Sequence, residues 1–247
     1  MASCAKDYVL RLAALTAVLA SAIVIASFAG VTIPGGGFLK RHFGAGAQTA
    51  AAKKNVTAPL AGYIAARAAL ARAFPRTGDI VMFGDSLVEQ VDWEALLGKT
   101  GIVNRGIGGE TSATALEHVD TVLSSKPHRV FMVLGMNDFR DGVPVAEVVA
   151  NYRNMVRAIE SVGADVIMQS TPAGAIDDAI NGQVFLLNEQ LAAMCAEEKH
   201  CQYLDLNHVL APEGRLRANF TWDGLHLTPD GYRAWAQLLA PYLSVPH

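Results

Sequence analysis

Five short runs of β-favouring residues recur along this chain, each followed by a stretch of helical periodicity, and no other feature narrows the fold as far. Asp79 to Phe83, Ile102 to Asn104, Arg129 to Leu134, Asp165 to Gln169 and Gln202 to Leu206 are dense in Val, Ile, Met and Leu. Near-continuous apolar runs of this length belong to strands buried on both faces. Helical candidates fill the gaps: Leu87 to Leu97, Ser112 to Leu123, Val145 to Ser161, Gly182 to Glu198 and Pro229 to Leu243. Another, carrying Leu60, Ile64, Ala65 and Leu70, precedes the first strand and ends at Pro75. The alternation predicts an α/β domain with one five-stranded parallel sheet between helical layers. Ligands of such sheets bind beyond the carboxyl ends of the strands, so the loops that follow them are where chemistry is expected.

At 247 residues, about half of them apolar, the chain is long enough for one substantial core. A net charge of -3, with 17% charged residues, leaves no basic footprint for phosphates, which argues against a nucleic-acid partner. Cys4, Cys195 and Cys201 are too few and too oddly spaced for a disulfide framework or a metal cluster and read as buried small hydrophobes. Residues 1–33 carry an uncharged run from Leu12 to Ile33, long enough to span a bilayer. Lys6 and Arg11 precede it, and Ser27-Phe28-Ala29 offers a small-x-small cleavage pattern. A transmembrane anchor and a cleaved signal peptide are both open readings, and both place the rest of the chain at a membrane or outside the cytoplasm. Lys40, Arg41, Lys53 and Lys54 follow the run, so basic residues flank both sides and orientation is not assigned. Residues 34–57 mix Gly, Ala and basic residues without an apolar period and read as a linker, leaving residues 58–247 as the folded domain.

Four stretches fall at strand ends or before the last helix. Gly84-Asp85-Ser86 follows the first strand; Ser86 is either a helix cap or a group exposed for chemistry at a helix N-terminus. Asn104 to Thr111, NRGIGGET, lacks the third glycine of a dinucleotide fingerprint, so no cofactor is expected. Asn137 in LGMNDF either directs its amide above the sheet or belongs to an ordinary turn. Asp223 and His226 are three residues apart, a spacing that suits a carboxylate orienting an imidazole, half of a metal site, or a surface turn. No second cluster of carboxylate and histidine supports a metal. His42, His118, His128, His200, His208 and His247 lack partners at useful spacing and read as surface or capping residues.

Taken together and in this order, FGDS, NRGIGGET, GMND and DGLHLT resemble the block signatures of the GDSL, or SGNH, hydrolases over about residues 78 to 244. The wording is most similar to the branch of platelet-activating-factor acetylhydrolase-like and lysophospholipase-like esterases. The resemblance implies a three-layer α/β/α, flavodoxin-like fold and a serine esterase. Its catalytic triad would be Ser86, His226 and Asp223, and its oxyanion hole would be Ser86 N–H, Gly109 N–H and the Asn137 amide. Glu110 stands where many relatives have Asp, a departure expected to matter little. The expected substrate is a short acyl or acetyl ester of a small molecule, lipid or glycan, with no cofactor and no metal. The alternative is an envelope glycan O-acyltransferase using the same acyl-serine. The N-terminal segment implies a membrane contact and an extracytoplasmic, periplasmic, catalytic domain.

Overall fold

The computed structural model describes residues 48–175 and 177–244, so the expected membrane span and most of the expected linker lie outside the described residues. Among the described residues no helix is long and apolar enough to cross a membrane. The chain divides after Thr57 into two units, and the second, beginning at Ala58, holds the sheet and the core. Helix α1 (Gln48–Ala73) reaches back into the stretch read as a linker. Its Ala-rich start needs no apolar period to favour a helix.

From α1 the chain runs β1 (Ile80–Gly84), α2 (Ser86–Glu89), α3 (Trp93–Leu97), β2 (Ile102–Gly106), α4 (Ser112–Glu117), α5 (Asp120–Leu123) and β3 (Arg129–Val133). It continues through α6 (Met136–Arg140), α7 (Val145–Glu160), β4 (Asp165–Gln169), α8 (Asp178–Glu197), β5 (Cys201–Leu204), α9 (Asn207–Leu210) and α10 (Pro229–Leu239). The five strands form one parallel sheet in the order β2-β1-β3-β4-β5. Each expected strand is present within two residues of its expected start and end, and the layers are those of the α/β/α fold.

Strand alternation divides the core. Val81, Phe83, Val130, Met132, Val166 and Met168 point to a face covered by α4, α7 and α8. Ile80, Met82, Phe131, Val133 and Ile167 point to the other, covered by α2, α3, α9 and α10. On that second face Trp93 meets Trp235 edge-on at 5.1 Å, and the Trp235 Nε1–H donates to Gln169 Oε1 at 2.6 Å.

Two expected helices are broken. The run Leu87 to Leu97 becomes α2 and α3 because Asp92 accepts the Ala95 N–H at 3.1 Å and restarts the helix as its N-cap. The run Ser112 to Leu123 becomes α4 and α5, interrupted at His118. Helix α8 begins at Asp178, before the expected Gly182, since Asp177 caps it through the Ala179 and Ile180 N–H groups.

The reading of the cysteines is corrected for two of them. Cys195, near the end of α8, and Cys201, which opens β5, are disulfide-bonded six residues apart; the third, Cys4, lies outside the described residues. Their spacing carries no framework signature; the pairing arises because α8 must return at once to the sheet edge. Chain-entropy arguments assign a loop this short about 2 to 3 kcal/mol. Cys201→Ser is expected to lower the unfolding free energy by about that amount in urea titrations, and reductant should destabilise the wild type and not the variant.

Candidate active site

Of the five residues singled out for chemistry, Ser86, His226 and Asp223 are in direct contact, while Gly109 lies in the loop after β2 and Asn137 in α6 after β3. β1 ends at Gly84, where a Cβ would lie 2.4 Å from the Val133 carbonyl oxygen and 2.6 Å from Val88. Only glycine lets the strand turn there with β3 alongside. Asp85 follows as the N-cap of α2, accepting the Leu87 N–H at 3.0 Å, so the capping role falls to Asp85 and Ser86 keeps its hydroxyl for another partner.

That partner is His226. Ser86 Oγ lies 3.0 Å from His226 Nε2, and His226 Nδ1 lies 2.6 Å from Asp223 Oδ2. The other Asp223 oxygen accepts the His226 and Leu225 backbone N–H groups at 2.7 and 2.9 Å, which fixes the loop and the carboxylate together. Thr221 closes the base of this loop: its hydroxyl donates to the His226 carbonyl and accepts the Gly224 N–H, both at 2.8 Å. Burial pushes the Asp223 carboxyl up, but its bonds to the His226 ring and to backbone N–H groups outweigh this and hold it below the usual carboxylate value. With Asp223 accepting at Nδ1, the imidazole of a neutral His226 presents its Nε2 lone pair to the serine.

The glycine loop after β2 supplies the facing wall. Gly109 sits at φ +80, with Leu60 of α1 where a Cβ would fall. Among the described residues no acceptor takes its N–H. Asn137, in the first turn of α6, donates one amide N–H to the Glu110 carbonyl at 2.8 Å, which orients the amide, and among the described residues no acceptor takes its second N–H. Asp138, beside it, is buried and accepts from the Ser112 backbone and hydroxyl at 2.9 and 2.6 Å, locking α6 to α4. The stretch NDFRDG is therefore a helix on a buried anchor, and only its end is a solvated loop.

One expectation about these neighbours is revised. Glu110 is fully buried, and burial pushes its carboxyl up to about 9. His118 is buried beside it, with Nε2 2.7 Å from Glu110 Oε1, so the surface reading fails, whereas the capping reading fits its place as the C-cap of α4. Burial lowers the His118 pKa as it raises that of Glu110, so for each group burial favours the uncharged form. The Glu110 contact to Asn137 is made by its backbone carbonyl, which does not depend on the side chain at this position.

Further residues complete the surroundings. Asn104 donates to the Val88 and Val91 carbonyls at 2.9 and 3.1 Å, tying β2 to α2; its place at the head of NRGIGGET was the available signal. Trp222 is 66% exposed and stacks on the His226 ring at 5.5 Å, whereas Phe220 packs into the core beneath α10. A cavity of about 390 Å³ opens beside His226, with Met136, Ile180 and Leu225 as its apolar lining and Arg140 and Asp177 as charged groups. Among the described residues no cluster of His, Cys, Asp or Glu fits a metal ion.

Known proteins align with this region. The family model described as GDSL-like Lipase/Acylhydrolase family matches residues 82–234. An N-acylneuraminate cytidylyltransferase of Streptococcus agalactiae serotype III (strain NEM316) is 25% identical over 160 residues, which are 64% of this chain and 37% of that protein. This chain thus spans little over a third of that relative. An isoamyl acetate-hydrolyzing esterase 1 homolog of Bos taurus is 28% identical over 62% of this chain and 76% of its own. Among solved structures, a Streptococcus pneumonia protein whose name refers to platelet activating factor superposes with a TM-score of 0.71 at 24% identity, covering 79% of this chain and 99% of that one. A GDSL-like lipase of Bacteroides thetaiotaomicron does so with a TM-score of 0.64 at 20% identity, covering 72% and 96%.

The Glu110 environment has a measurable consequence. Its folded value, about 9, lies above the ordinary 4.5, so between these limits the folded state binds the extra proton and stability falls as pH rises. Glu110→Gln keeps the neutral shape and is expected to remove that slope, at most about 1.4 kcal/mol per pH unit, in urea denaturation at pH 5, 7 and 9. Parallel curves for variant and wild type would show that Glu110 is not the titrating group.

Proposed function

The chain belongs to the GDSL-like lipase/acylhydrolase family, and from this premise we propose that it is a carboxylic ester hydrolase that works through Ser86, His226 and Asp223 on short acyl esters. The observation that carries the proposal is the unbroken hydrogen-bonded chain from Asp223 through His226 to Ser86. In the proposed reaction His226 Nε2 takes the Ser86 Oγ proton as the oxygen attacks the ester carbonyl. The carbonyl π pair moves to oxygen, and the negative charge is received by the N–H groups of Ser86 and Gly109 and the free amide N–H of Asn137. Collapse expels the alcohol, protonated by His226, and leaves an acyl-serine. Water, deprotonated by the same ring, then releases the acid and restores the hydroxyl.

The cavity beside His226, about 390 Å³ with an apolar lining, suits a small acyl or alcohol group. The acetyl-ester cleavage named for the isoamyl acetate-hydrolyzing relative supports a short acyl chain. The cytidylyl transfer named for the longer streptococcal relative is not carried over. The proposed setting is outside the cytoplasm, at a membrane. It is supported by the uncharged run from Leu12 to Ile33 and by the Cys195–Cys201 bond, which an oxidising compartment preserves.

A panel of p-nitrophenyl esters of rising acyl length, with Ser86→Ala beside the wild type, tests the mechanism. Ser86→Ala is expected to lower kcat by roughly 10⁴- to 10⁶-fold, and near-normal hydrolysis by this variant would remove the nucleophile. Asn137→Ala is expected to lower kcat by roughly 10²- to 10³-fold; an unchanged rate would take the amide out of the oxyanion hole.

A further inference from the structure

This inference rests on the esterase reading above and concerns a residue that takes no part in it. Glu89 ends α2, three residues after Ser86. Its side chain is only 21% exposed, and its two oxygens serve different parts of the fold. Oε2 accepts the Gly108 N–H at 2.9 Å. Oε1 accepts the Tyr63 hydroxyl of α1 and lies 3.3 Å from Arg67 Nε of the same helix. Gly108 immediately precedes Gly109, the proposed oxyanion donor, and Leu60 of α1 rests against Gly109 from outside.

A loop with glycine at 106, 108 and 109 has little intrinsic reason to keep one conformation. A carboxylate accepting its backbone N–H is a charge-assisted bond, stronger than a neutral one, and holds the loop next to the nucleophile's own helix. An oxyanion donor works only if it is aimed before the charge develops, so a loop that drifts loses rate and not substrate. We propose that Glu89 is a positioning residue that fixes the Gly108-Gly109 loop for catalysis, and that α1, through Tyr63 and Arg67, braces Glu89. Helix α1 lies outside residues 82–234, the span matched by the family model, so the brace is built by chain that precedes the matched domain.

The test is p-nitrophenyl acetate hydrolysis by the full chain, with kcat, KM and the thermal midpoint measured for each variant. Glu89→Ala is expected to lower kcat by roughly 10- to 100-fold with KM within about 3-fold, since the donor is displaced and not deleted. Glu89→Gln keeps an amide oxygen that accepts the Gly108 N–H, and should retain kcat within about 5-fold of wild type. Tyr63→Phe should cost about 2- to 5-fold in kcat alone and nothing further in the Glu89→Ala background. Wild-type kcat in Glu89→Ala, an equal loss in Glu89→Gln, or an additive Tyr63→Phe effect would each overturn the proposal. Should Glu89→Ala not fold, wild-type kcat in Tyr63→Phe would overturn the brace, and a Glu89→Gln loss as large as 10-fold would overturn the positioning role. A wild type lacking Ser86-dependent hydrolysis would sink the esterase reading and this inference with it.

Discussion

Ser86 and His226 are separated by 140 residues and meet at 3.0 Å, and the site depends on the sheet order that makes this contact feasible. β1 lies inside the sheet, with β2 on one side and β3 on the other. The crossover from β1 to β2 runs one way along the sheet and the crossover from β2 to β3 runs back past β1; after these strands Ser86 begins α2, Asn137 lies in α6, and Gly109 lies in the loop between β2 and α4. His226 arrives from the far end of the chain because α10 is fastened to the same place. The Tyr232 hydroxyl donates to the Leu87 carbonyl at 2.8 Å, and Trp235 packs edge-on against Trp93. The aromatic cluster under α2 and α3 thus sets the distance between two groups that share no local sequence.

The strands were legible because burial on both faces leaves a simple signature, a continuous apolar run bounded by turn residues. The five candidate site residues were named through the resemblance of four blocks taken together, since position alone left each open: Ser86, Gly109 and Asn137 follow strands, but Asp223 and His226 lie well beyond β5, just before α10. Helix α6 was not legible. GMNDFRDG has the composition of a turn, and its helical geometry rests on a tertiary bond from Asp138 to Ser112 that no local pattern encodes. The burial of His118 was missed on similar grounds, since its neighbour Glu110 sits in the loop before α4 and the two side chains meet only in the folded chain. The disulfide was hidden because a spacing of six residues becomes a bridge only when a helix and the next strand are nearly in contact. The carboxyl edge could be read from pattern; its walls could not.

Those walls are polar groups taken out of water, and each must be satisfied or neutral. Asp85 spends one carboxylate oxygen on the Leu87 N–H, yet burial still pushes its pKa up to about 6, with the charge on Asp138 adding to the rise. Asp138 is likewise raised by burial, against the pull of its bonds to Ser112. Glu110 goes furthest, to about 9. Three acidic side chains around one crevice therefore resist ionisation.

Asp223 is the exception, and under the proposed mechanism the contrast decides which carboxylate serves the histidine. A group that supports an imidazolium must stay charged while its neighbour gains a proton, which excludes one whose ionised form is penalised by its surroundings. Asp223 is 30% exposed, accepts two backbone N–H groups and the imidazole, and is held below the usual carboxylate value. Asp85 is nearer in sequence to Ser86 and feels the charge of His226, but its own bonds commit it to the helix start. Similar side chains are thus divided by environment into scaffold and electrostatic partner. The division follows from where each carboxyl finds its hydrogen-bond donors: on a tight loop open to water for Asp223, and inside the protein for the others.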